Sequence, residues 1–145
     1  MPEHAPLHFI FYIAAPPEKV WEGFVSAESN RTIFGADFAA DLKPGGSLAW
    51  TGTDPKGNRI TYVGGQVLES DPPKTLQYTF QLGSSAHTSR VTIELTPESE
   101  ATKVSVTHDS FSPDDPHYSQ TADGWPRILS RLKTLIETGK TFKPH

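Results

Sequence analysis

The feature that most constrains this chain lies near its far end. In the segment Gly124 to Glu137, Ile128, Leu129, Leu132, Leu135 and Ile136 fall at relative positions 0, 1, 4, 7 and 8. That spacing puts one apolar stripe on an α-helix with a period of about 3.6 residues. Arg127, Arg131 and Thr134 are assigned to the opposite, polar side. No other stretch is as strongly amphipathic, and most of the chain before it reads as short strands. A stripe of that width needs a cover, and a sheet is the only partner on offer. The helix is therefore expected to close the core, and any cavity beside it.

The strands show as alternation. Leu7, Phe9, Phe11 and Ile13 share one face of a first strand that Pro16-Pro17 stops. Pro17 suits the first position of a helix, where a missing N–H is harmless, and a short helix over Glu18 to Phe24 follows. Ser26 is a suitable N-cap for a second short helix, and Gly35 a suitable residue just past its end. From there the period is two. Strands are expected near Leu48–Thr51, over Arg59–Glu69, Thr75–Leu82 and Thr88–Thr96, and over Ala101–His108. Their links are hairpin-length and rich in turn residues, such as Asp54-Pro55-Lys56-Gly57-Asn58. Gly64-Gly65 marks a bulge or sharp bend, and Ser112 to Gln120 a loop or broken turn. The expected order is β-αα-β6-α with an antiparallel sheet. A Pro126 outside the last helix's first turn would imply a kink.

Composition supports this reading and narrows the partners. With 145 residues, 35% hydrophobic content, 13 prolines and 11 glycines, one turn-rich domain is expected. The net charge of −4, without a run of basic residues, argues against nucleic acid or an anionic membrane surface. There is no cysteine, hence no disulfide, thiolate nucleophile or thiolate metal site. The start Met1-Pro2-Glu3-His4 lacks signal-peptide character, and no apolar stretch approaches the ~20 residues of a membrane span. A cytoplasmic protein is expected. Asn30-Arg31-Thr32 fits the glycosylation triplet only by coincidence.

Chemistry is sparse. His108 shares a strand face with Val104 and Val106, so its imidazole is expected to look toward the helix, as a ligand-orienting or acid–base group or as a hydrogen-bonded strand end. Trp50, Tyr62, Tyr78, Phe80 and Trp125 suit the walls of an aromatic cavity or simply the core. Trp125 and Leu129 are placed toward the cavity mouth, and Ile128, Leu132 and Leu135 in the core. Trp21 and Phe24 seat the short helices. Asp114-Asp115-Pro116-His117 lacks a second histidine at ligand spacing, and nothing requires His87 to meet His108, so no metal is expected. Ser84-Ser85 and Ser89 lack a nucleophile elbow. Gly45-Gly46 and Gly64-Gly65 do not open a helix after a strand, as a phosphate loop must. No catalytic residue and no cofactor is assigned.

Five segments occur in an order that resembles a known family: Ala15-Pro16-Pro17-Glu18-Lys19-Val20-Trp21, Lys43-Pro44-Gly45-Gly46, Gly65-Gln66-Val67-Leu68-Glu69, Leu76-Gln77-Tyr78-Thr79-Phe80, and Gly124-Trp125 with Leu129, Leu132 and Lys133. The chain is similar, from about Phe9 to Gly139, to the AHSA-like domains. These resemble the C-terminal part of the activator of the heat-shock protein 90 ATPase and belong to the START-like (SRPBCC, helix-grip) superfamily. The resemblance implies an α+β helix-grip fold, with a curved antiparallel sheet around the long C-terminal helix and two short helices plugging one end. It also implies an apolar cavity that in relatives holds lipids, polyketides, sterols or aromatic molecules. This chain has Ile33-Phe34 where the family often has tryptophan, and within its 145 residues the co-chaperone's separate N-terminal domain is not expected.

Three functions follow as expectations. The leading one is a module that binds a small apolar or aromatic ligand, without being an enzyme. The first alternative is an enzyme using the same cavity, with His108 and Tyr78 or Glu69 as acid–base groups; it requires at least two of them to converge. The second is a regulatory protein that contacts a chaperone or forms a homodimer.

Overall fold

The alternating segments assemble into one curved antiparallel sheet, and the apolar stripe into a helix laid across it. The computed structural model describes residues 4–143 apart from Ser84. The beginning of the chain, Met1 to Glu3, and Ser84 of the serine pair therefore lie outside the described residues.

Among the described residues the order is β1 (Leu7–Ile13), α1 (Pro17–Val25), α2 (Ala27–Phe34), β2 (Asp37–Ala40), β3 (Ser47–Thr53), β4 (Arg59–Asp71), β5 (Thr75–Leu82), β6 (Ser89–Glu98), β7 (Ala101–Asp109) and α3 (Tyr118–Thr138). The sheet runs β1-β7-β6-β5-β4-β3-β2. From β2 to β7 it is a meander. The first strand then pairs with the last, antiparallel, Phe9 facing Val106 and Phe11 facing Val104. This is the helix-grip architecture, β-α-α-β6-α, with α3 as the gripped helix.

The local signals explain the elements. Pro17 opens α1, and the Ser26 hydroxyl accepts the Ser29 N–H at 3.0 Å to start α2. Gly35, in the left-handed region at φ 71°, ends α2, a conformation glycine adopts without a Cβ penalty. On β7 the inward row is Thr102, Val104, Val106 and His108, all buried. Both polar members of that row are paired: Thr102 donates to the Ala15 carbonyl at 2.7 Å, and His108 is described below.

Several expectations are corrected. The short strand Asp37–Ala40, not delimited in the sequence, forms the far edge, with Phe38 opposite Trp50. The register slips in β4 fall at Tyr62 and Leu68, not at the glycine pair. Gly65 has a different job: a Cβ there would collide with the Thr79 carbonyl of β5. Helix α3 starts at Tyr118, so the end of the expected loop is helical and Pro126 lies inside the helix. Tyr118 is tied down by a 2.7 Å hydrogen bond to the Ala5 carbonyl and by stacking on His4.

The stripe of α3 buries Leu129, Leu132 and Ile136 most fully, with Ile128 and Leu135 half-buried. Arg131, assigned to the polar side, is only 2% exposed. It stands three residues after Ile128, hence on the same face. Its Nε donates to the Ile33 carbonyl at 2.9 Å and its Nη2 to the Thr32 carbonyl at 2.6 Å. These carbonyls end α2, where backbone acceptors lack intrahelical partners and the helix dipole is negative. The guanidinium also stacks over Phe142, 5.6 Å from the ring centre. A cation in the core thus ties α3 to α2.

Candidate functional site

Where the first half of α3 leaves the sheet, a cleft of about 360 Å³ opens. Trp50 of β3, Tyr62 and Val63 of β4, and Tyr78, Phe80 and Leu82 of β5 form its sheet side. Trp125 and Ile128 of α3 face them, and Phe34 to Ala36 at the end of α2 close a third side. Gln120, Thr121 and Gly124 line it from the first turns of α3. Among the described residues no charged side chain contributes to the lining. The volume and the aromatic, uncharged walls fall within the range that small-molecule pockets show.

The two tryptophans are fixed from behind. Trp50 Nε1 donates to Oδ1 of Asn30 at 2.8 Å. Asn30 is 1% exposed, and its amide nitrogen donates to the Phe24 and Ser26 carbonyls at 3.0 and 2.8 Å. The asparagine of the glycosylation triplet is therefore a buried strut between the α1–α2 corner and Trp50. Trp125 Nε1 donates to Nδ1 of His108 at 2.9 Å. Both indole N–H groups are spent on the protein, so both rings offer the cleft only apolar surface.

His108 itself is fully buried and lies behind the cleft wall. Phe111 stacks on it with ring centres 4.5 Å apart, and Phe80 meets it edge-on at 4.7 Å. Its Nε2 lies 2.6 Å from Ser89 Oγ. An indole nitrogen can only donate, so Nδ1 must accept and the proton of the neutral ring sits on Nε2. The ring then donates to Ser89, whose hydroxyl passes its own proton toward the Phe80 carbonyl at 3.4 Å. Burial pushes the His108 pKa down to about 4, against the smaller opposing pull of Asp109 and Asp115. With its proton already directed at Ser89, the imidazole cannot serve as that serine's base.

Of the residues singled out in the sequence, Trp50, Tyr62, Tyr78, Phe80 and Trp125 come together around the cleft. His108 and Leu129 do not line it. His108 stands behind Trp125 and Phe80, and Leu129, 4% exposed, packs in the core, while Ile128 takes the place expected for it. Glu69 is exposed and away from the cleft. Of the three acid–base candidates, Tyr78 alone faces the space. Asn30 and Ile128 were missed. Asn30's burial beside Trp50 has no sequence signal, whereas Ile128 lies one turn past Trp125, at i+3, and was within reach of the helical period.

Burial pushes the Tyr78 phenol above its ordinary pKa, so it remains a protonated donor at neutral pH. On the outer side, His87 Nδ1 and Asp114 Oδ1 are 3.9 Å apart. Among the described residues no group of three or more histidine, aspartate or glutamate side chains is arranged to hold a metal ion. Nor is any helix among them long and apolar enough to cross a membrane.

The family described as activator of Hsp90 ATPase homolog 1-like protein (AHSA1) matches residues 14–137 of the sequence. The chain belongs to this family. The AHSA1 match spans α1 through nearly all of α3, including every element that lines the cleft. Solved structures share the fold. DynU16, a putative protein in the dynemicin biosynthetic locus, superposes with a TM-score of 0.76 at 23% identity, over 97% of this chain and 49% of its own. A protein from Arthrobacter aurescens gives a TM-score of 0.80 at 14% identity, over 98% and 92% of the two chains. The Aha1 dimer from Colwellia psychrerythraea gives 0.73 at 17% identity, over 94% and 98%. At these identities the likeness is one of fold. No curated protein matches the chain.

Proposed function

We propose that this AHSA1-family protein binds a small apolar or aromatic molecule in the cleft between the sheet and α3, within one helix-grip domain. The observation that carries this reading is the pair of tryptophans whose N–H groups are already satisfied, in Trp50 by Asn30 and in Trp125 by His108. Rings held in that way present flat apolar faces to the cleft at little conformational cost on binding. The polar groups needed to orient a ligand are few, as such sites require. A similar fold in a protein of a natural-product locus is consistent with this use.

The test is a thermal-shift and tryptophan-emission titration with uncharged aromatic compounds, run on the native chain and on Gly124→Leu. A ligand that binds only the folded state raises its stability by about 2.7 kcal/mol at a hundredfold excess over Kd. The reading requires saturable binding in the native chain and its loss when the new leucine fills the cleft. Binding that survives the filling would place the ligand elsewhere.

A second reading, a homodimer or chaperone contact, draws on the outer face of β1. Ile10 and Tyr12 are 52% and 46% exposed on this edge strand. An edge strand with apolar side chains is a pairing surface unless something blunts it. The Colwellia relative is an Aha1 dimer. Sedimentation of the native chain and of Ile10→Lys tests it: a dimer abolished by the lysine supports this reading, and a monomer in both removes the dimer form.

A further inference from the structure

The donors that could meet a ligand deep in the cleft are few. Both indole N–H groups are taken, and the half-exposed Tyr62 belongs to the rim with Gln120 and Thr121. That leaves Tyr78. Its side chain is 4% exposed and packs against Trp50, ring centres 5.9 Å apart. Its hydroxyl has no protein partner among the described residues. Nor is it sealed from solvent: among those residues the buried, unpartnered side-chain atoms are Ser70 Oγ and Arg131 Nη1. Tyr78 lines the cleft and also a small space of about 30 Å³ that shares Phe34, Trp50, Trp125 and Ile128 with it.

We infer that Tyr78 is the group by which this cleft selects its ligand, and that the ligand is an uncharged molecule with a ketone, ester or ether oxygen on an apolar or aromatic body. This rests on the cleft being a binding site, and adds to it the polarity and the charge of what is bound. An acceptor placed at the phenol completes a buried hydrogen bond. A pure hydrocarbon would desolvate the hydroxyl and leave it unpaired, which is the costly case. A carboxylate or ammonium group would enter walls without a counter-charge, which is costlier still. The phenol keeps its proton because burial disfavours the phenolate, so it donates throughout the neutral range.

Three matched probes test this: 2-acetylnaphthalene, 2-ethylnaphthalene and 2-naphthoate, titrated into the native chain and into Tyr78→Phe. The affinity of the ketone relative to the hydrocarbon should fall by about five- to tenfold in the variant, the worth of one hydrogen bond. Naphthoate should bind the native chain weaker than the ketone by on the order of a hundredfold. If Tyr78→Phe fails to fold, the infrared carbonyl stretch of 2-acetylnaphthalene bound to the native chain decides instead, and it should move to lower frequency. An unchanged ketone-to-hydrocarbon ratio, an unshifted carbonyl, or naphthoate binding as tightly as the ketone overturns the role of Tyr78 while leaving the cleft an apolar site. Failure of all three probes to bind overturns the cleft as their site and this inference with it.

Discussion

Trp125 Nε1 lies 2.9 Å from His108 Nδ1, and this one contact decides what the imidazole can do. A protonated ring would turn an N–H toward an indole that can only donate. The pair is stable only while the imidazole is neutral and carries its hydrogen on the side of Ser89. A histidine that looked in the sequence like an acid–base group is thereby a fixed support behind the wall that positions a tryptophan.

Stability should therefore depend on pH through His108. Its folded pKa of about 4 lies below the ordinary 6.5, so the unfolded chain takes up the proton first. The stabilisation is complete above pH 6.5 and is lost as pH falls toward 4, the loss reaching roughly 3 kcal/mol below both values. Urea denaturation of the native chain and of His108→Gln at a series of pH values checks this. The difference between them should be flat above pH 7 and fall through that window. Asp37, Asp109 and Glu137, whose pKa values are lowered first by hydrogen bonds to Arg31, Arg90 and Lys133 respectively, lose their contributions at lower pH.

Asn30→Ala should cost about 2–3 kcal/mol, because it leaves the Trp50 N–H and the Phe24 carbonyl without their partner, while the Ser26 carbonyl keeps only the Asn30 backbone N–H. Denaturation midpoints measure the loss. Tryptophan emission of the folded variant should change as well, since the Trp50 indole loses its hydrogen bond.

Arg131→Ala should cost about 2–4 kcal/mol through lost packing and two stranded carbonyls. Arg131→Lys should recover less than half of that. An ammonium group lacks the planar fork that reaches the Thr32 and Ile33 carbonyls together. Hydrogen exchange should show the last turn of α2 loosening first in either variant.

Gly124→Ala should stabilise the chain by about 0.5–1 kcal/mol, because a helix-interior glycine is conformationally costly and a Cβ at that position meets nothing within 4 Å. Thermal denaturation reads the gain. Leucine at the same site should keep the fold while reducing the cleft, which makes the pair of variants a way to separate stability from binding.

The parts of this fold that were legible in the sequence are those governed by a strict period. Alternation on β7 put His108 on the inner face, and the caps Ser26 and Gly35 bounded α2. The aromatic set of the cleft was visible for the same reason. Helical spacing is less decisive between neighbours: Ile128 and Leu129 both belong to the stripe, and only packing against the sheet decides which one borders open space. Arg131 was misplaced because its charge outweighed its position. Asn30 was illegible because its acceptor role is set by Trp50, 20 residues away. Asp37–Ala40, only 4 residues long, is too brief for a period to show.

Neither Asn30 nor His108 lines the cleft whose tryptophans they hold. The shape of the cleft and the attitude of the two indoles are thus written in different residues. Val63, Leu82 and Ile128 can be exchanged for larger or smaller side chains without touching either hydrogen bond. If the cleft binds as proposed, it is a retoolable socket on a fixed mount: a few lining substitutions would re-shape what it accepts, while the parts that keep its two flat rings in place stay as they are.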